Sequence, residues 1–379
     1  LEVDPTGLTW GGYPLEHFVP STTLEVRGLR NRYRRPGIGA PLAASLAPTA
    51  AGTPPVGAER IGPRTKVPVT AFVRFENPRA SLATGRVRGR LELYAADQSS
   101  TVTVDGREQR LESDSTAALA EQLEHNPLYA LEIAAFLGGG TFERMLPKDR
   151  TKDGLFTIHP YQAGKIPVVL VHGTASSPTR WAELVNELEG DPRIRERYQI
   201  WLFLYDTGNP IGYSAGRLRA ALTAAVQEFD PTGTDAALHR MVVIGHSQGG
   251  LLTKLTAIDS GTRFWDRVSA KPFDSLNLAP ATRDLLRQSI FFTPLPFVAR
   301  VIFVSTPHRG ALMAGGRLGA IAASLVRIPT GLLGQFALVA TASGDERLAA
   351  LIQHPPTAVD NMSPNSPALK LLASIPIPP

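Results

Sequence analysis

The period of the apolar positions changes along the chain. Within residues 67–111, Val69, Ala71, Val73 and Phe75 alternate with Thr70, Phe72 and Arg74. Val87, Leu91, Leu93 and Tyr94 follow, then Thr101–Val104 and an Asp105-Gly106 pair. Period-two alternation ended by a turn dipeptide predicts antiparallel strands and hairpins. Residues 115–137 then carry apolar residues at helical spacing. Asp114 or Ser115 stands at the N-cap position, Pro127 interrupts the helix, and Gly138-Gly139-Gly140 stops it. No Gly-Lys-Ser/Thr follows the triple glycine, so it is not read as a phosphate loop.

Beyond residue 164 the pattern changes again. Ile166–Val171 is a continuous apolar run, as expected of a strand buried on both faces. A helix over 178–188, a strand over 200–205, a helix over 214–229, a strand over 241–244, a helix over 248–258 and a strand over 301–304 follow. Strands alternating with helices predict an α/β fold, a mostly parallel sheet with helices on both faces. No internal repeat is visible.

Composition narrows the picture. Of 379 residues, 43% are apolar and 19% charged, enough for a sizeable core and too apolar for wholesale disorder. No window approaches the ~20 apolar residues of a membrane-spanning helix. The absence of cysteine excludes disulfides, thiolate metal sites and a cysteine nucleophile. The net charge of +5 is concentrated locally, since residues 24–110 hold fifteen Lys/Arg against seven Asp/Glu. Arg27, Arg30, Arg32, Arg34 and Arg35 lead into a Pro/Ala/Gly-rich stretch, 36–63, expected to form a loop on the outside.

Four segments are therefore expected. Residues 1–65 form a basic arm, 66–150 a β-hairpin and helix part, 151–310 the α/β core, and 311–379 an apolar helical cap with the lead-in to further strands. The arm reads first as a solvated segment with surface ion pairs. Its alternative role is contact with the cell envelope or a membrane surface. No motif or aromatic interleaving points to nucleic acid.

The sharpest chemical signal is Val242-Val243-Ile244-Gly245-His246-Ser247-Gln248-Gly249-Gly250, a G-x-S-x-G pattern between a buried strand and a helix. A serine at such a turn is held in strained geometry with its hydroxyl above the sheet. The flanking glycines let strand and helix approach each other. The main-chain N–H of Gln248 then faces any oxyanion formed on a substrate. About 75 residues earlier, Val171-His172-Gly173-Thr174 ends another buried strand, where the N–H of Thr174 can supply a second donor. His172 is expected to brace that loop, and Asp206 to Asn209 to line the same sheet edge.

Residues 166–305 resemble the α/β-hydrolase superfamily, in its bacterial lipase/esterase branch. The matching segments are VVLVHGTASSPTRW, LFLYDTGNPIGYSAGRLRAAL, VVIGHSQGG and VIFVSTPHRGA. The resemblance implies carboxylic-ester hydrolysis through an acyl-enzyme, with Ser247 as nucleophile and Thr174 and Gln248 as the oxyanion hole. It implies no metal or organic cofactor, and an ester substrate with an apolar acyl part. Acyl transfer to another alcohol, and a non-catalytic binding module on a hydrolase fold, are the alternatives. A periplasmic or extracellular location is expected by analogy.

A serine nucleophile needs a histidine base and a carboxylate, which follow it in this fold's chain order. Here His308 sits inside STPHRG, in a position that the resemblance marks as structural. His354 precedes Asp360, the wrong order, and Asp345 precedes His354 with no strand between them. No buried strand is visible after Val304. The start at Leu1 is read as processed or trimmed, and the end, Ile375 to Pro379, as leading into another strand. The acid and base are accordingly expected beyond Pro379 or on a C-terminal fragment forming a second chain, with His354 and Asp345 as lesser candidates.

Overall fold

The computed structural model describes residues 9–47, 55–62, 65–85, 87–124, 154–174, 176–311, 345, 347 and 361–378. The chain forms two compact units. One comprises Leu1–Met145, Thr157–Gln162 and Thr179–Tyr198; the other comprises Leu146–Phe156, Ala163–Pro178 and Gln199–Pro379.

The first unit is built on an antiparallel sheet of β1 (Thr9–Trp10), β2 (Tyr13–Pro20), β4 (Ala40–Leu46), β5 (Lys66–Phe75) and β6 (Gly89–Ala95), in the order β1-β2-β4-β5-β6. One face buries Trp10, Tyr13, Ala44, Val67, Val69 and Ala95 as a cluster. Two small ladders accompany it. β3 (Arg34–Arg35) pairs with β9 (Ser113–Asp114), and β7 (Thr101–Val104) with β8 (Arg107–Arg110). The β7–β8 turn is the expected Asp105-Gly106 pair, with φ of 48° and 72°, the positive values that a tight two-residue hairpin turn requires.

Two expectations fail in this unit. The 36–63 stretch is not simply an outer loop, because β4 lies within it and within the sheet. Its partner Val67 pairs with Ala44, and both are fully buried. Alanines carry too little apolar contrast for the alternation to show. Nor are residues 1–65 an arm, since β1 and β2 are sheet strands. Arg32 pairs with the buried carboxylate of Asp114 (Nε–Oδ2 2.9 Å), and Arg34 with Glu112. A helix, α1 (Pro78–Thr84), also interrupts the expected run of strands. Pro78 at its first turn is a favoured helix start.

The unit's other described helices are α2 (Ser115–Glu124), α3 (Ala182–Gly190) and α4 (Pro192–Arg197). Asp114 caps α2 as expected, its Oδ1 accepting from the N–H of Ala117 at 2.9 Å. Pro127 and the triple glycine lie outside the described residues.

The second unit holds the largely parallel sheet. Its strands are β10 (Gly154–Thr157), β11 (Ile166–Val171), β12 (Tyr198–Leu204), β13 (Met241–His246) and β14 (Val298–Val304), in the order β10-β12-β11-β13-β14. β13 is parallel to both β11 and β14. β11 is central, and all six of its residues are buried, which accounts for its unbroken apolar run. β14 is at the edge, with Ile302 and Val304 about two-fifths exposed (40% and 39%).

The helices of this unit are α5 (Ile211–Phe229), α6 (Gln248–Lys254), α7 (Trp265–Val268), α8 (Pro280–Ile290) and α9 (Pro367–Ser374). The buried Lys254 ties α6 to α9, donating to the carbonyl of Leu372 at 2.7 Å near the helix end. Burial holds its pKa below the usual lysine value. The apolar segment expected as a cap, 311–344, lies outside the described residues except for Ala311.

Leu170 in β11 is fully buried. Leu170→Ala is expected to lower stability by ~2–5 kcal/mol in urea denaturation through lost contacts and a residual cavity. Ile302→Ala, on the exposed edge, should cost far less.

Candidate functional site

Ser247 stands between β13 and α6 at φ 52° and ψ −124°. A non-glycine residue at positive φ is strained and persists only where its surroundings fix it. Here the N–H of Ser247 donates to the carbonyl of Val304 at 2.9 Å, and its own carbonyl accepts from the N–H of Gly250 at 3.0 Å. The flanking glycines are required by contact. A Cβ on Gly245 would lie 2.5 Å from the Gly250 Cα, and one on Gly249 would lie 2.8 Å from the Val171 carbonyl carbon. Strand, turn and helix are therefore packed backbone to backbone.

The loop after β11 comes up against this turn. A Cβ on Gly173 would fall 2.9 Å from the Cβ of Ser247. His172, fully buried, stacks on Tyr205 with ring centroids 4.6 Å apart, and the Tyr205 hydroxyl donates to the His172 carbonyl at 2.9 Å. The expected bracing of the loop is thus seen in packing and in a hydrogen bond.

The side chain of Gln248 joins three segments. Its Oε1 accepts from the Thr174 hydroxyl at 2.6 Å, and its Nε2 donates to the carbonyl of Thr207 at 3.1 Å, with the whole residue buried. Thr207 belongs to the loop after β12, where Asp206 Oδ1 accepts from the N–H of Gly208 at 2.9 Å. The loops following β11 and β12 are thereby fixed to the residue after the serine. The main-chain N–H groups of Thr174 and Gln248 make no hydrogen bond to another described residue, and neither does the half-buried hydroxyl of Ser247.

Sequence reasoning did not foresee this tie. A buried glutamine directly after the serine was the available signal, because a buried amide has to find partners. Nor did it foresee Met362, whose sulfur lies 3.8 Å from the Thr174 hydroxyl. Ser305, after β14, is a second serine at positive φ, 48°. A Cβ on Gly250 would run into the neighbouring Thr306 side chain.

The remaining candidates are placed as follows. His308 meets Phe303 edge-on at 4.6 Å, and burial together with the Lys254 charge pulls its pKa below the ordinary histidine value. Asp345 is buried and accepts from the Ser269 hydroxyl at 2.7 Å and from the N–H groups of Ala270 and Arg347, each at 3.0 Å. His354 and Asp360 lie outside the described residues.

No known family matches the chain, and no curated protein matches it. Among solved structures it is similar to the lipase BlEst2 of Bacillus licheniformis in mature form. That likeness has 16% identity over 52% of this chain and 67% of that one, with a TM-score of 0.27. Against the propeptide form of the same lipase, identity is 15%, the TM-score 0.26, and coverage 50% of this chain but only 34% of that one. It is also similar to an inhibited esterase B from Lactobacillus rhamnosis, at 13% identity over 66% of this chain and 73% of that one, with a TM-score of 0.32. These neighbours are a bacterial lipase and a bacterial esterase. The superpositions are partial, and the functional reading rests on the geometry around Ser247.

Gln248→Met keeps the side-chain volume but leaves the Thr174 hydroxyl and the Thr207 carbonyl without their partner. It is expected to cost ~1–3 kcal/mol in denaturant unfolding. Gly249→Ala should cost ~1–3 kcal/mol by overpacking.

Proposed function

We propose that this chain is a serine carboxylester hydrolase of the α/β-hydrolase type that works through an acyl-enzyme. The observation that carries the reading is the backbone of Ser247, bent to φ 52° and ψ −124° between a buried strand and a helix, beside the loop that ends at Thr174. Among the described residues, this arrangement leaves a hydroxyl without a partner next to two unengaged main-chain N–H groups.

The chemistry follows from those groups. Ser247 Oγ bonds to the carbonyl carbon of an ester while its proton passes to a histidine base. The carbonyl oxygen becomes an oxyanion, and the N–H groups of Gln248 and Thr174 donate to it. Collapse of the tetrahedral intermediate breaks the bond to the alcohol oxygen, which takes the proton from the histidine. Water then attacks the acyl-enzyme by the same route and regenerates the serine. Because Gln248 holds Thr174 by its side chain, both donors stay in place without reorganisation during the reaction.

Of the two candidates for base and carboxylate, His354 lies outside the described residues and Asp345 is buried against the Ser269 hydroxyl.

A fluorophosphonate probe should label Ser247, with the modified residue read by peptide mass spectrometry, and Ser247→Ala should abolish labelling. Absence of labelling in the full-length gene product would overturn the hydrolase reading in favour of a binding module. Thr174→Pro removes one main-chain donor and should slow ester hydrolysis by ~10²–10³-fold, the effect of losing one oxyanion donor. Thr174→Ala, which keeps the N–H, should be affected much less.

A further inference from the structure

The first unit contains a cavity of about 290 Å³ whose walls include Arg35, Asp97, His159, Glu189 and Arg195. Several of these groups hold one another. His159 Nε2 lies 3.0 Å from Glu189 Oε2, and Nδ1 lies 3.5 Å from Asp97 Oδ2, which also accepts from the Trp10 indole at 2.8 Å. Arg195 donates to the main-chain carbonyl of Glu189 at 2.6 Å.

Two groups in the same walls are left over. The Arg35 side chain is half-buried and makes no hydrogen bond or ion pair with another described residue. Burial, and then the like charges of Arg195 and Arg110, lower its pKa. On the acidic side, the Asp97 side chain is only 6% exposed, and its Oδ1 is buried without a hydrogen bond. A partly desolvated guanidinium and a buried carboxylate oxygen each cost free energy when unpaired.

We propose that this cavity binds a small hydroxylated organic anion, a phosphate ester or a carboxylate, whose oxyanion pairs with Arg35 and whose hydroxyl donates to Asp97 Oδ1. The guanidinium fork matches either oxyanion in a bidentate pair. An ionised carboxylate can only accept, so the ligand must also bring a donor. The volume is near the lower end for small-molecule sites. Because Asp97 is buried, the ligand enters the cavity rather than touching its rim, which favours a soluble molecule over a lipid headgroup held at a bilayer. The site is independent of the ester chemistry proposed at Ser247.

Isothermal titration calorimetry on the full chain tests this with glycerol 3-phosphate and with gluconate, using uncharged glycerol as the control. At least one of the two anions should bind and glycerol should not. Arg35→Ala should weaken binding by about tenfold or more, as loss of a charged hydrogen bond does, with an unchanged near-UV circular dichroism spectrum. Arg193→Ala, at an arginine whose side chain is 88% exposed, should leave the affinity unchanged. Asp97→Asn should weaken the hydroxylated anions without weakening inorganic phosphate. Binding of neither anion, or equal binding by wild type and Arg35→Ala, would overturn the proposal. So would Arg35-dependent capture on phosphatidylglycerol vesicles with no binding of the soluble anions.

Discussion

A strained backbone at one serine is the constraint around which the second unit is arranged. Ser247 can keep φ at 52° only because β13 and α6 meet at distances that glycine alone permits, and because the Val304 carbonyl holds its N–H. That requirement explains why β13 has neighbours on both sides, with β11 and β14 in parallel register. The strain is a local cost of ~1–3 kcal/mol.

From that bend the site extends outward through one amide. Gln248 is rigid because it is buried, and its two hydrogen bonds make the loops after β11 and β12 into a single support. Under the ester chemistry proposed for Ser247, donors already in position would need no reorganisation when charge develops. The Lys254 contact with Leu372 reaches further along α6 and anchors the last described helix to the same element. Serine, donors and supporting loops thus belong to one packed body.

Much of this could be read from the residues in order. The unbroken Ile166–Val171 run marked the central strand, and the glycines at 245 and 249 marked the close approach, because both properties are local. Asp105-Gly106 and the Asp114 cap were visible for the same reason. β4 was not, because its alanines pack by being small, and small residues leave no period. The Gln248 tie was hidden as well, since its partners Thr174 and Thr207 lie 74 and 41 positions away. Arg32 and Arg34 looked like part of a solvated arm because their acids, Asp114 and Glu112, are about 80 residues distant.

The geometry around Ser247 can be read from a crystal structure of the protein after reaction with an alkyl phosphonate ester. A covalent bond from Ser247 Oγ to phosphorus is expected, with the phosphoryl oxygen within hydrogen-bond distance of the main-chain nitrogens of both Thr174 and Gln248. An unmodified Ser247, or a phosphoryl oxygen turned away from those two nitrogens, would contradict it.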